Sequence, residues 1–300
     1  MNTTARVLHR IVRTASLGFA LILAAGGATP ASAQVVERFD ADPFAGRGPN
    51  PVFVDGDLAS HFAYLSAEPE HFPADREGTL RVTYDTTLPA ARIAMPIGGV
   101  LSLDADFDFG AILTIRSDGL FADPNGFSQI AFGLWNAATT GIDRTGFPSN
   151  SFDLVEFDYF PNVGSFGGPF LSPSVFGGNV AGNAFFNFSF QSEEVSLPLD
   201  QPLLCQFHYD AASRRLDLLV SRHLTGVTFE RVPGAAVSVD ASRIDPAFLV
   251  DRIGIAAYFE GFPSLRATVD YDLLYVGPLP SPFAVGGRRI RPGHGARQED

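Results

Sequence analysis

The sequence contains no lysine; all 21 of its basic residues are arginine. It has one cysteine, Cys205, one tryptophan, Trp135, and two methionines among 300 residues. A lone thiol cannot close a disulfide within the chain, so stability has to come from buried core area, and Cys205 is expected to be an inert core thiol. Acidic residues outnumber basic ones by 33 to 21, a formal charge of −12. That balance opposes nucleic-acid binding, which depends on Lys and Arg to neutralise phosphates. No apolar run approaches the ~20 residues that a membrane-spanning helix needs, so no membrane anchor is expected. No segment holds helical spacing for three turns. Histidine pairs at metal spacing, G-x-S-x-G elbows and phosphate-cradling loops are all missing.

The N-terminus reads as a targeting signal. Arg6, Arg10 and Arg13 precede the apolar run Leu17 to Ala25, and Ala31-Ser32-Ala33 supplies a small-x-small cleavage site. Residues 1–33 are therefore expected to be a secretory signal peptide, and the protein to be exported, periplasmic or extracellular. Loss of those three arginines would take the mature charge to −15. The last 23 residues, 278–300, are dominated by Pro, Gly and Arg and hold few apolar side chains. They are expected to form a disordered tail, because they cannot bury enough surface to offset chain entropy. Residues 34–277 remain as one domain.

That domain reads as β throughout. Apolar residues alternate with polar ones in Asp106 to Arg116, Phe186 to Phe190 and Arg266 to Val276, the period of a strand with one buried face. Further strands are expected at Thr79 to Asp85, Phe127 to Asn136, Phe152 to Phe160, Leu203 to Asp210, Arg215 to Ser221, Val227 to Val232 and Arg252 to Phe259. Turn chemistry separates them, including Pro124-Asn125-Gly126, Pro161-Asn162 and Val232-Pro233-Gly234. One helical turn is expected near Pro246 to Val250. More than ten strands without alternating helices or internal repeats imply two packed antiparallel sheets.

Two segments carry the chemistry. In Asp153 to Asn162, DLVEFDYFPN, strand periodicity puts Glu156, Asp158 and Phe160 on one face and Val155, Phe157 and Tyr159 on the other. The two carboxylates then stand about 7 Å apart at Cα, given a rise of ~3.3 Å per residue. Like charges that close need a cation, an arginine or solvent; an ordinary solvated face is the plain alternative. The second segment, Gly133 to Arg144, combines Trp135 with Asn136, Asp143 and Arg144. An aromatic face for stacking beside paired hydrogen-bonding groups suits a sugar; a core Trp135 followed by a polar hairpin is the alternative.

Val155-Glu156-Phe157-Asp158-Tyr159-Phe160-Pro161-Asn162 resembles the metal-binding strand of legume-type (L-type) lectins, V-E-[FL]-D-T-[YF]-x-N. Three other stretches follow in the family's order. Asn125 to Leu134 resembles the strand D-G-[LF]-A-F-F-[LI], Phe207 to Leu218 the hairpin V-x-I-x-Y-D, and Asp245 to Ala257 the segment L-P-E-x-V-x-V-G-F-S-A. The resemblance implies an all-β, concanavalin A-like jelly-roll sandwich of two antiparallel sheets and carbohydrate as the partner. It implies a metal site in which Asp158, the Phe160 carbonyl and Asn162 hold Ca²⁺, with Asp158 bridging to a transition metal bound by Glu156. It implies sugar contacts near Asp123, Asn125 and Gly126, with Asn125 standing where the family has Asp. A transition metal would keep only two protein ligands, because Val163 to Phe176 contains no carboxylate and no histidine. Glucanases of the same superfamily use E-x-D-x-(x)-E. Glu156 and Asp158 match its first half, but Phe160 or Pro161 stands where the second catalytic Glu would be. The expectation is an exported carbohydrate-binding domain, with a divergent glycoside hydrolase or lyase, or an adhesive surface protein, as the other readings.

Overall fold

The computed structural model describes residues 34–66, 78–121, 129–136, 153–161, 168–177, 188–226, 228–244, 246–257 and 266–280. All of them belong to the unit Ser32–Asp300. The expected signal peptide, the expected tail from 281 onward and the expected turn at 124–126 lie outside them. None of the described helices is long and apolar enough to cross a membrane.

The strands, in chain order, are β1 (Val35–Glu37), β2 (Phe53–Gly56), β3 (Phe62–Leu65), β4 (Thr79–Asp85), β5 (Ala91–Ser102), β6 (Phe107–Phe121), β7 (Ile130–Trp135), β8 (Leu154–Phe160), β9 (Phe170–Leu171), β10 (Ser174–Phe176), β11 (Phe188–Phe190), β12 (Glu193–Glu194), β13 (Leu203–Asp210), β14 (Arg215–Thr225), β15 (Thr228–Asp240), β16 (Leu249–Ala257) and β17 (Arg266–Val276). Among the described residues, helix is confined to a 3₁₀ turn at Pro43–Ala45 and one α-turn, Leu58–His61. The strands form two sheets. One has eight strands in the order β15-β14-β13-β6-β17-β4-β3, with β1 pairing the C-terminal half of β17. The other has nine, in the order β11-β10-β8-β7-β16-β5-β2, with β9 and β12 attached beside β8. Each of these pairings is antiparallel. The chain is an all-β jelly-roll sandwich.

Alternation builds the core. Phe109, Leu113 and Ile115 of β6, Cys205 and Phe207 of β13, and Val269 and Tyr271 of β17 point inward from one sheet. Phe132 of β7, Phe157 of β8 and Ile253 and Ile255 of β16 point inward from the other. The sheets meet through rings. Phe132 stacks on Phe157 at 4.9 Å and stands edge-on to Phe207 at 6.3 Å and to Tyr271 at 6.2 Å. Phe207 in turn stacks on Phe109 at 4.4 Å. Offset and edge-to-face pairs of this kind add to area burial alone. Cys205 sits in the same layer with no exposed surface, and burial pushes its thiol pKa up.

Several expectations change. Val232-Pro233-Gly234 does not reverse the chain. It lies inside β15, where Arg231 pairs Ser221 and Ala236 pairs Leu219, so the residues between bulge opposite Val220. Gly234 takes φ 78° there, a conformation open to glycine that serves a bulge as well as a turn. No helical turn spans Pro246 to Val250; β16 already begins at Leu249. Strand β5 escapes the alternation test because it is buried on both faces in its first half and carries Pro96, Gly98 and Gly99. Pro96 is tolerated beside the bulge between Val250 and Arg252, with Gly98 at φ 74°.

Replacing Phe132 by Ala should destabilise the fold by about 3–5 kcal/mol, the usual cost of truncating a buried aromatic. Urea unfolding of the two proteins measures it. A loss under 1 kcal/mol would remove Phe132 from its place as the inter-sheet key. A thiol-specific reagent should label Cys205 only as fast as the protein unfolds.

Candidate functional site

The face of the nine-stranded sheet turned away from the core carries the candidate site. Its register sets side chains into rows across the strands. The first row runs Leu154, Trp135, Arg252, Pro96. The second runs Ser174, Glu156, Gly133, Gly254, Ala94, Phe53. In the third, Asp158 faces Ala131, while Ala256 faces Arg92 and Arg92 faces Asp55. Ala131 and Ala256 pack together with Ala90 and link the two halves.

Glu156 and Asp158 therefore share a face, as their spacing requires, but that face is not solvated. Glu156 is 1% exposed and Asp158 3%. Asp158 accepts hydrogen bonds from Gln129 Nε2 at one oxygen and from Ser174 Oγ, 2.5 Å, at the other. Its backbone carbonyl accepts from Ser172 N at 2.8 Å. Gln129 immediately precedes β7 and Ser174 opens β10, so the carboxylate ties together three neighbouring strands. Behind this face Tyr84 donates to the Ala131 carbonyl at 3.1 Å and pairs with the Tyr271 hydroxyl at 2.7 Å. Burial raises the pKa of both phenols, so they stay neutral. Neither Gln129 nor Ser174 was singled out from the sequence. Only the cross-strand register brings them to Asp158.

The calcium expectation can be tested against these contacts. Calcium takes 6–8 oxygen ligands. Of the expected calcium groups the described residues hold the Asp158 carboxylate and the Phe160 carbonyl, and of the transition-metal pair Glu156 and Asp158; Asn162 lies outside them. No group of three His, Cys, Asp or Glu able to hold an ion occurs among the described residues. Both Asp158 oxygens already face donor hydrogens of neutral side chains, and a cation in the same place would repel those hydrogens. The described residues alone hold two of the 6–8 oxygens that calcium takes; the rest of the expected shell falls on residues outside them.

Trp135 is 4% exposed, yet it is not part of the inter-sheet core. It packs on the opposite face with Ala94, Leu154 and Phe176, and Phe188 stacks on Phe176 at 4.1 Å. Its benzo ring lies over Gly254, where an added Cβ would come within 2.5 Å of the indole. Asn136 is buried beside it, and its N–H donates to the Asp153 carbonyl at 3.1 Å. Asp153 Oδ2 in turn accepts from Leu249 N at 2.9 Å. Of the expected sugar contacts, Trp135 and Asn136 are thus neighbours on this sheet. Asp123, Asn125, Gly126, Asp143 and Arg144 lie outside the described residues.

No protein-family model matches the chain, and no curated protein matches it. Solved structures do. Three of them are described as lectins or as lectin-like. Lectin II from Ulex europaeus is 17% identical over 81% of this chain and 97% of its own, with a TM-score of 0.43. Lectin I from Ulex europaeus, in complex with the methyl glycoside of alpha-L-fucose, is 12% identical over 82% and 98%, with a TM-score of 0.47. A legume lectin-like domain from Entamoeba histolytica is 10% identical over 74% and 92%, with a TM-score of 0.42.

Asp158→Ala should cost about 1–3 kcal/mol, because it leaves Gln129 and Ser174 as buried donors without their acceptor. Asp158→Asn, which keeps one acceptor oxygen, should cost less. Equal stability of all three proteins in urea would show that the carboxylate ties nothing together.

Proposed function

We propose that this protein is an exported, lectin-like carbohydrate-binding protein whose binding surface is the outward face of the nine-stranded sheet. One observation carries the reading: the indole of Trp135 lies on that face, beside Asn136 and one strand from the Glu156–Asp158 pair. Polar groups gathered beside an indole on one sheet face are residues of the kind that saccharide sites use; Trp135, packed on Ala94, Leu154 and Phe176, supports that face from beneath. The likeness of Val155 to Asn162 to the lectin strand supports the same surface. Export rests on the composition of residues 1–33.

Calcium belongs to this proposal only as a question for experiment. With Asp158 held by Gln129 and Ser174, the sheet needs no cation for its integrity. Thermal unfolding in EDTA and in millimolar Ca²⁺ should coincide. A bound ion at ~100 times its dissociation constant would add about 2.7 kcal/mol, a rise of several degrees that would restore the calcium reading.

Glycan-array binding by the purified protein tests the function itself. Capture of at least one saccharide class is expected, reduced about tenfold or more by Trp135→Ala, since aromatic anchors carry much of a binding free energy. An array that stays blank, with self-association in solution, would favour the adhesive reading. Release of reducing sugar would favour a hydrolase.

A further inference from the structure

The outward face of the nine-stranded sheet carries a line of apolar side chains that begins buried and ends in solvent. Trp135, Leu154 and Phe176 form its buried start, and Phe188 packs against them. Phe188 stacks on Phe176 at 4.1 Å and 24°, and Phe190 stacks on Phe188 at 5.0 Å and 20°. The three phenylalanines share a face. Phe176 and Phe188 are cross-strand partners on β10 and β11, and Phe188 and Phe190 stand two apart on one strand. Phe190 ends the line and is 54% exposed. Among the described residues, Phe188 is the only ring that stacks on it.

The register that places Phe190 also places its polar neighbours. Phe190 pairs Ser174, the residue whose hydroxyl donates to Asp158 at 2.5 Å. Two residues on from Phe190 and two back from Ser174, the same register brings Ser192 opposite Ser172. Their hydroxyls meet at 2.7 Å on the surface. The N–H of Ser172 donates to the Asp158 carbonyl at 2.8 Å, and Ser189 Oγ ties β11 to the Asp240 carbonyl, so both sides of the arrangement are held. Along its strand, Phe190 thus has a ring on one side and a hydroxyl pair on the other. A hydroxyl donates once and accepts twice. Whichever serine donates within the pair, one O–H and several acceptor lone pairs remain for a ligand.

A supported, exposed ring beside hydroxyls that both donate and accept suits a ligand with an apolar C–H face and hydroxyls at its edge. We propose that Phe190 and the Ser172–Ser192 pair form a subsite for a neutral pyranose, the phenyl ring covering the C–H face of the sugar and the serines bonding its hydroxyls. The inference rests on the carbohydrate-binding reading and names the place and the ligand class within it. The size of the apolar patch favours a sugar over a protein partner. A stable protein interface covers about 800 Å² on each side, whereas the four residues that follow Phe190, Gln191 to Glu194, are polar and exposed. Glu193 and Glu194 also set the charge beside the site, where they repel an acidic sugar.

The test is equilibrium binding of the purified protein to neutral β-linked gluco-, galacto- and manno-oligosaccharides, each beside its uronic-acid counterpart of the same linkage. At least one neutral series should bind, several-fold tighter at low salt than its acidic counterpart. Phe190→Ala should weaken that binding about tenfold, the worth of a good aromatic contact. Phe190→Tyr, which keeps the ring, should bind like the parent, and Ser192→Ala several-fold more weakly. Thermal unfolding of each variant checks that it is folded. Neutral binding that is unchanged in both Phe190→Ala and Ser192→Ala, or a preference for the acidic series, would overturn the subsite and leave carbohydrate binding standing. No binding across this panel would overturn the subsite, and a blank glycan array as well would overturn the carbohydrate reading with it.

Discussion

The two-residue period of β7 and β8 is the constraint on which the rest depends. Each strand has one set of side chains committed to the inter-sheet core, and the same geometry sends the alternate set to the other face. Phe132 and Phe157 stack inside, which leaves Trp135 and the Glu156–Asp158 pair no choice but the outside. A slip of one residue would bury two carboxylates among phenylalanines and expose the rings. Core packing therefore specifies the register, and the register specifies which chemistry reaches the outward face.

That face is unusual for being polar and buried at once. Buried carboxylates are tolerated only when hydrogen-bonded or paired. Asp158 meets the requirement through two neutral donors brought in by β10 and by the approach to β7. The eight-stranded sheet solves the same problem differently. Asp270 is gripped in two-pronged fashion by Arg81, at 2.7 and 2.8 Å, with Arg116 nearby at 3.6 Å, and Asp272 accepts from Thr79 at 2.6 Å. There the carboxylates meet arginines and stitch strands together. On the nine-stranded sheet Asp158 meets the neutral donors of Gln129 and Ser174 instead.

The strands that were legible in the sequence are those with one apolar face: β4, β13 and β17 run between the residues that the alternation predicts. β5 was missed because burial on both sides erases alternation and because its proline and glycines look like loop residues. The bulge in β15 was read as a turn for a related reason. Pro-Gly reports the backbone conformation it allows, not whether the chain afterwards turns back or continues along the same partner.

Sequence alone determined the fold class, the inert thiol and the shared face of Glu156 and Asp158, because these follow from composition and from a local period. The tertiary structure alone decided what surrounds them. Gln129 and Ser174 carry no local signal, and their roles arise from pairings between neighbouring strands. Trp135 shows the division most clearly. Strand periodicity assigns it a face, but whether that face is core, solvent or a second buried layer depends on which strands lie beside β7. Long-range register decides that, through the side chains it sets opposite one another.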